Sequence, residues 1–506
     1  MNAKALKDFM ENTPLMCHNA QFEAKWLLSL GINPNIAHDT KLMAFLYDNR
    51  LIHTTHLRLS ELGEVLLNEK ILSHGEEICD MTGKELSDQN ISHTAGTYLL
   101  GEYLWPLLSK PEKRVYKEVL IPATKSLASI ELQGLRVDRV LLQNLITSET
   151  KRMKELMAIP EFNMVEQLTG ETFNPESPKH REILVYEVLG YDCPTFCKTK
   201  TGKPSTKKDT LLFLYSKDKN PILKAFMDLS IVSGVLSGTL NPILCDHATA
   251  YKNSFFIYPS LWLGETNTGR IRSSHPNMQN FVKDNAYRKI FIPRSNKGII
   301  VDWDYDGIEL RILASLADDD RLIEAILSGD PHTATAQDIF NKKDISSEER
   351  SIAKTFNYGI VYGARPNTLA INTGITVERA KKLYNRFVKT HECLFTYLDN
   401  YVEEGVVYSP TGMKRYYSKQ TEANNFPIQN TALIAMLIAM NRVVLDVNSG
   451  SRGKIDLTVH DSLRGDIEDK SLIQEVKDGM ESVTFPFMRV PLTVSVKCGK
   501  NWGELK

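Results

Sequence analysis

Two aspartates far apart in the sequence each stand at the end of an apolar, strand-like run. Asp304 follows GIIVDW, and Asp461 sits at the tip of a hairpin pattern, KIDLTVHDSLRGDI (454–467), with its turn at His460–Ser462. Taken singly, each has a plain explanation: a helix N-cap for the first and a turn residue for the second. Taken together on neighbouring strands, the two carboxylates would share a pair of divalent ions. Two hard cations held roughly 3.5–4 Å apart clamp an in-line phosphoryl transfer. Mg²⁺ suits such a site, since it binds through one or two carboxylates plus substrate phosphates, and Mn²⁺ is the alternative ion.

RSIAKTFNYGIVYG (350–363) spaces Arg350, Lys354, Tyr358 and Tyr362 four residues apart. On a helix, steps of four drift by only about 40°, so the four side chains share one stripe. Two cations followed by two aromatic rings suit a nucleoside triphosphate: charge on the phosphates, rings against sugar and base. Gly359 and Gly363 would be costly inside a helix. They make sense where a base or a template strand approaches the backbone. In NNFPIQNTA (424–432), Asn425 and Gln429 would face one way on a helix whose start Pro427 places near them. Amide side chains can donate to the acceptors that every base pair shows in the minor groove.

These residues need elements to hold them. The run 297–306 reads as a buried strand ending in carboxylates, 346–370 and 376–390 as helices, and 490–503 as a final strand and tail. Helical spacing recurs over 57–67 and from residue 113 to Gly134. With 506 residues the chain implies three or four domains at ~150 residues each. It is 42% hydrophobic and 24% charged, ordinary globular values that exclude wholesale disorder. The formal net charge is -1, so any nucleic-acid footprint has to be a local positive cleft. One candidate is CKTKTGKPSTKK (197–208), lysine-rich without an acidic residue, which is either a solvated loop or one that tracks phosphates. Of seven cysteines only Cys193 and Cys197 stand close, and no second pair follows at zinc spacing. Such sparse cysteine fits a reducing cytoplasm. No apolar run approaches the ~18 residues of a membrane span, and the polar N-terminus lacks a signal-peptide core, so a soluble cytoplasmic chain is expected.

In chain order, DYDGIELR, RSIAKTFNYGIVYG, NFPIQNT and VHDS resemble motifs A, B and C of family A DNA polymerases, the bacterial DNA polymerase I family. TGRIRSSHPNMQN (268–280), DPHTATAQDIF (330–340) and VPLTVSVKCGKNWG (490–503) fit the same family, and the resemblance is specific over 115–506. It implies a mixed α/β (α+β) fold: a right hand of palm, fingers and thumb behind a partial ribonuclease H-like 3′–5′ exonuclease domain. The implied divisions are exonuclease-like 1–110, thumb 111–245, palm 246–317, fingers 318–418 and palm again 419–506. Template-directed DNA synthesis would follow, with two Mg²⁺ ions on Asp304, Asp461 and the backbone carbonyl of Tyr305. Arg350, Lys354 and His332 would hold the triphosphate, and Lys354 would act as general acid toward pyrophosphate. Tyr358 would pack on the sugar, Glu309 would be the steric gate against a 2′-OH, and Tyr362 would stack at the insertion site. Arg270, Asn425, Gln429 and His460 would contact the primer–template minor groove. Partners would be primer–template DNA and dNTPs, with a replisome helicase or a separate exonuclease subunit as protein partners.

The chain departs from the family pattern in places. Motif C reads HDS rather than HDE, Asp306-Gly307 replace Ser-Gln, and Thr421 stands where an arginine is frequent. Tyr358 is the residue of several phage members and implies weak discrimination against dideoxynucleotides. CHNAQFEAKWLLSLG (17–31) resembles the second exonuclease motif, with Glu23 in place of Asp; the third motif would fall on His93 and Thr97 instead of Tyr and Asp. The first motif is expected upstream of residue 1. Loss of proofreading is therefore expected, and with Tyr358 it suggests a phage replication enzyme. A single-subunit RNA polymerase shares much of this pattern, although the Glu309 gate argues against it. A catalytically dead DNA-binding scaffold is the other alternative.

Overall fold

The strand-like segments assemble into a four-stranded sheet of β1 (Ile299–Tyr305), β2 (Gly453–Val459), β3 (Ser462–Ile467) and β4 (Val494–Gly499). This is a computed structural model, and it describes residues 3–72, 81–193, 198, 202–245, 249–251, 253–400 and 405–506. The sheet order is β2-β3-β1-β4 with every neighbour antiparallel. The mid-chain strand β1 is thus enclosed by strands from the C-terminal quarter. Side chains alternate across the sheet. Val301, Trp303 and Tyr305 enter one apolar cluster; Ile300 enters another on the opposite face, the face that also carries Asp302 and Asp304.

Six helices matter for the site: α1 (Thr40–Tyr47), α2 (Ile121–Gln133), α3 (Ile308–Leu316), α4 (Pro331–Phe340), α5 (Ser347–Val361) and α6 (Gln420–Ser449). The single helix expected over 346–370 is in fact two. α5 stops at Val361, Gly363 takes φ +74°, and a second helix starts at Pro366. The 376–390 helix is present as Val377–Thr390. Pro427 does not start its helix either: α6 begins at Gln420 and carries Pro427 buried in its interior. The proline removes one hydrogen bond and crowds the carbonyl one turn back, and burial among α6's many apolar neighbours outweighs that cost.

The N-terminal region contributes two short parallel strands, Leu15–Cys17 and Ile36–Asp39, with helices around them. α1 is buried at every position from Thr40 to Leu46. Asp39 caps it, accepting from the backbone N–H of Lys41 (2.9 Å) and Leu42 (3.3 Å). One apolar cluster runs unbroken from α1 through α2 and α6 to the 301–305 face of the sheet and into α5. A separate cluster around Phe162, Leu184 and Phe226 forms the core of a helical lobe.

Two helical runs, Pro221–Leu244 and Gln420–Ser449, are long and apolar enough to cross a membrane, contrary to the sequence expectation. Packing accounts for both. α6 is largely buried, and the other run sends Leu223, Phe226, Leu229 and Val232 into two cores at helical spacing. Of the 197–208 loop, Cys197 and residues 199–201 lie outside the described residues; in the remainder Lys198 bridges to Pro204.

Candidate active site

β1 pairs with β3 so that Asp304 lies opposite Ser462, and with β4 so that it lies opposite Ser495. The β2–β3 turn closes over the end of β1. His460 adopts the left-handed region at φ +56°, and the Tyr305 N–H donates to the Asp461 carbonyl at 3.2 Å. The sheet thereby brings Asp304 and Asp461 to one cleft of about 600 Å³. Asp304 is open to the cleft, yet the surrounding protein strips enough water from its carboxyl to push it up to about 7, helped by repulsion from Asp461 and Asp302. Asp461 is raised too, first by burial, with Glu309 and Asp302 adding repulsion. Carboxylates held close against their own charge form a donor set that a divalent cation would relieve. No cluster of three or more His, Cys, Asp or Glu side chains with metal-holding arrangement occurs among the described residues. Further oxygen ligands would come from backbone, water or substrate.

The opposite wall comes from α5. Lys354, Tyr358 and Tyr362 line the cleft together with Arg270, Tyr305, Glu309, Gln429 and His460. Tyr362 is no longer part of the helical stripe: it caps the end of α5, and its hydroxyl donates to Glu309 Oε2 at 2.5 Å. Arg270 holds the other Glu309 oxygen. Glu309, only 8% exposed, is thus fixed between two residues that the sequence assigned to separate tasks. Gly359 and Gly363 also have an internal explanation. A Cβ on Gly359 would meet Leu369 at 2.9 Å, and one on Gly363 would meet Thr421 at 3.1 Å. The chain itself makes these close approaches.

Three expected residues are not among those lining the cleft. Arg350 forms a two-point ion pair with Asp330, both contacts at 3.0 Å, which holds the Asp330 carboxyl well below the usual carboxylate range. His332 lies beside Tyr358 with ring centroids 5.6 Å apart, and it accepts from Asn357 Nδ2 at Nδ1 (3.1 Å). Burial, Lys354 and Arg350 push it down to about 4, so it is neutral near pH 7. Asn425 is half-buried, and its Oδ1 has no hydrogen-bond partner among the described residues.

The motif departures have physical accounts. Asp306 accepts from the hydroxyls of Thr493 (2.8 Å) and Ser495 (2.5 Å), which ties the end of β1 to the β4 region. A Cβ on Gly307, at φ +57°, would lie 3.3 Å from the Tyr358 hydroxyl. Ser462 donates to the Val459 carbonyl at 3.1 Å inside its own hairpin. Sequence reasoning missed Asp302 and Lys497, which pair across β1 and β4 beside Asp304; period-2 alternation back from Asp304 could have found the first.

In the N-terminal region Glu23, His93 and Thr97 line one cavity of about 1660 Å³. Burial, and then Asp39, push the Glu23 carboxyl up to about 7, and its Oε2 has no hydrogen-bond partner among the described residues. Asp39 is committed to backbone: besides capping α1 it accepts from the N–H groups of Asn19 (3.1 Å) and Ala20 (2.8 Å).

A carboxylate-bearing sheet beneath a helical wall that presents Lys354 and two tyrosines, with a separate helical lobe alongside, is the right-hand architecture of palm, fingers and thumb. The POL domain of Pol1 from M. smegmatis, solved in complex with DNA primer-template and dNTP, shares this fold at a TM-score of 0.83 and 24% identity, covering 99% of this chain and 88% of that one. The model of DNA polymerase family A matches residues 142–504, and the chain belongs to that family. DNA polymerase I of Caldicellulosiruptor bescii is 33% identical over 420 residues, covering 78% of this chain and 47% of its own. DNA polymerase I of Synechocystis is 30% identical over 547 aligned residues, covering 97% of this chain and 53% of its own. The chain spans about half the length of these curated relatives.

Proposed function

We propose that this chain is a DNA-directed DNA polymerase that extends a primer 3′-OH along a DNA template. The observation that carries the reading is the convergence of Asp304 and Asp461 opposite Lys354 and Tyr358, across a cleft gated by the fixed Glu309. Asp304, Asp461 and the Tyr305 carbonyl would hold Mg²⁺, which lowers the pKa of an attacking hydroxyl and offsets charge on the leaving phosphates. Lys354 faces the position of the triphosphate; Arg350 reaches it by exchanging Asp330 for phosphate, and neutral His332 offers its remaining ring N–H. Glu309 fills the space a 2′-OH would need. Gln429, His460 and Arg270 lie where the primer–template minor groove would pass, and Asn425 joins them from the preceding turn of α6. The working divisions are exonuclease-like 1–110, thumb 111–245, palm 246–317 and 419–506, and fingers 318–418. A setting in phage DNA replication in the host cytoplasm rests on Tyr358 and on the loss of proofreading.

The test is extension of a 5′-labelled primer on a longer template by the purified chain with Mg²⁺. dNTPs should support extension and rNTPs should not. No extension with dNTPs would overturn the reading, and equal use of rNTPs would move the chain to RNA synthesis. Tyr358 further predicts ready incorporation of dideoxynucleotides. Tyr358→Phe should raise discrimination against them roughly tenfold, the worth of one hydrogen bond to a charged group. Strong rejection by the unaltered chain would refute this.

We read the N-terminal cavity as inactive in proofreading. Two metals need several free carboxylate oxygens. Asp39 is spent on four backbone donors, His93 and Thr97 offer no carboxylate, and of the expected positions Glu23 alone is left. A mismatched primer 3′ end should therefore stay intact with Mg²⁺ and no dNTPs, and efficient trimming would contradict the reading.

A further inference from the structure

Arg270 reaches the site from a tight loop, and that loop is clamped by a helix of the N-terminal region. Gly264 and Gly269 both adopt positive φ, +75° and +81°. A Cβ at Gly264 would lie 3.2 Å from Leu42 and 3.3 Å from the Phe45 ring; one at Gly269 would lie 3.4 Å from the same ring. Phe45 of α1 thus touches both ends of the loop. Between them, Lys41 Nζ contacts Glu265 Oε1 at 2.7 Å with both side chains largely buried, and Arg272 takes the other Glu265 oxygen at 3.1 Å. His53 meets Asn267 at 2.8 Å. From the other side, α6 holds the loop through Asn430 Nδ2, which donates to the Thr268 carbonyl at 3.3 Å. The loop closes on itself where the Thr266 hydroxyl donates to the Arg270 carbonyl at 2.9 Å. The next atoms outward are the Arg270 guanidinium and the Glu309 carboxylate.

The geometry points to Lys41 as a positioning residue of the polymerase site: through Glu265 it fixes the 264–270 loop, so that Arg270 holds Glu309 in place. This inference rests on the polymerase reading and extends it. The region that carries no usable proofreading site is then an active support for nucleotide selection. A largely buried ion pair suits that task, since its geometry is narrow: without Lys41, Glu265 keeps only the exposed Arg272 and loses its tie to α1. Lys41 touches neither substrate nor reacting atoms; its effect runs through Arg270.

The test uses the full chain with Lys41→Met, which keeps an unbranched side chain but loses the ammonium that pairs with Glu265 and lies 5.0 Å from the centre of the Trp262 ring, and with Lys41→Arg, which keeps the charge. Single-nucleotide kinetics with dNTP and rNTP give the discrimination ratio. Lys41→Met should lower it between about 3- and 30-fold, the range of coupling carried by packed networks, and Lys41→Arg should restore most of it. In an Arg270→Ala background Lys41→Met should change the ratio no further. An unchanged ratio in Lys41→Met, or full additivity with Arg270→Ala, would overturn the inference. Hydrogen exchange supplies a readout independent of catalysis. Amides of 264–270 should exchange faster in Lys41→Met and at the original rate in Lys41→Arg, and unchanged protection in Lys41→Met would overturn the inference even in a chain that extends no primer. If the unaltered chain fails to extend a primer, the polymerase reading fails separately.

Discussion

Asp304→Asn should reduce primer extension by about 10³-fold or more while making the metal-free protein more stable. The activity loss follows from removing one of two carboxylates that would hold the catalytic ions, an effect of several kcal/mol. The stability gain follows from linkage. In the folded chain the Asp304 carboxyl is raised to about 7, against roughly 3.9 when unfolded. Between those values the folded state holds the extra proton, so stability falls as pH rises from about 4 to about 7. Above that the full penalty remains. Asparagine carries no such charge. Because Asp304 stands open to the water of the cleft, screening reduces the gain to about 1–2 kcal/mol. Thermal unfolding in EDTA at pH 8 should show the variant melting above the unaltered chain, and the gap should close near pH 4. Added Mg²⁺ or Mn²⁺ should raise the melting temperature of the unaltered chain and barely move the variant. A variant less stable at pH 8, or one that still extends primers at a tenth of the original rate, would refute the assignment.

The second large effect lies under the sheet. Asp456 occupies the register shift between Ile455 and Leu457, a bulge that turns its side chain toward Arg464 at 2.7 Å. Both side chains are almost fully buried, and the guanidinium lies near the rings of Phe291 and Trp502. Asp456→Ala leaves that charge without its partner, and urea unfolding should show a loss of about 3–5 kcal/mol. Asp456→Leu combined with Arg464→Met removes both charges and should recover most of the loss, since well-packed apolar pairs commonly replace buried ion pairs at no cost. A double variant as unstable as the single one would show that the pair does more than neutralise itself.

The parts legible in the sequence were those set by local pattern. The apolar run before Asp304, the hairpin around Asp461 and the glycine that ends α2 at residue 134 all fold as their spacing implies. What was not legible depends on partners remote in the chain. Nothing local to 346–370 shows that Thr421 crowds Gly363 where the helix breaks. Pro427 looks like a helix start until it proves buried inside a helix that begins at Gln420. Arg350 reads as a free cation until Asp330, from the turn before α4, accepts from its Nε and Nη2. The Tyr362–Glu309–Arg270 linkage joins three segments and has no signature in any one of them.

The unbroken apolar cluster from α1 to α5 bears on how the molecule comes apart. A protease acting on the native chain should not release residues 1–110 as an intact fragment, because α1 and the polymerase body share one interior. Shortening the chain to a minimal catalytic core at residue 110 would expose the surfaces now covered by Leu42, Phe45 and Leu46, and aggregation is the expected fate of such a fragment.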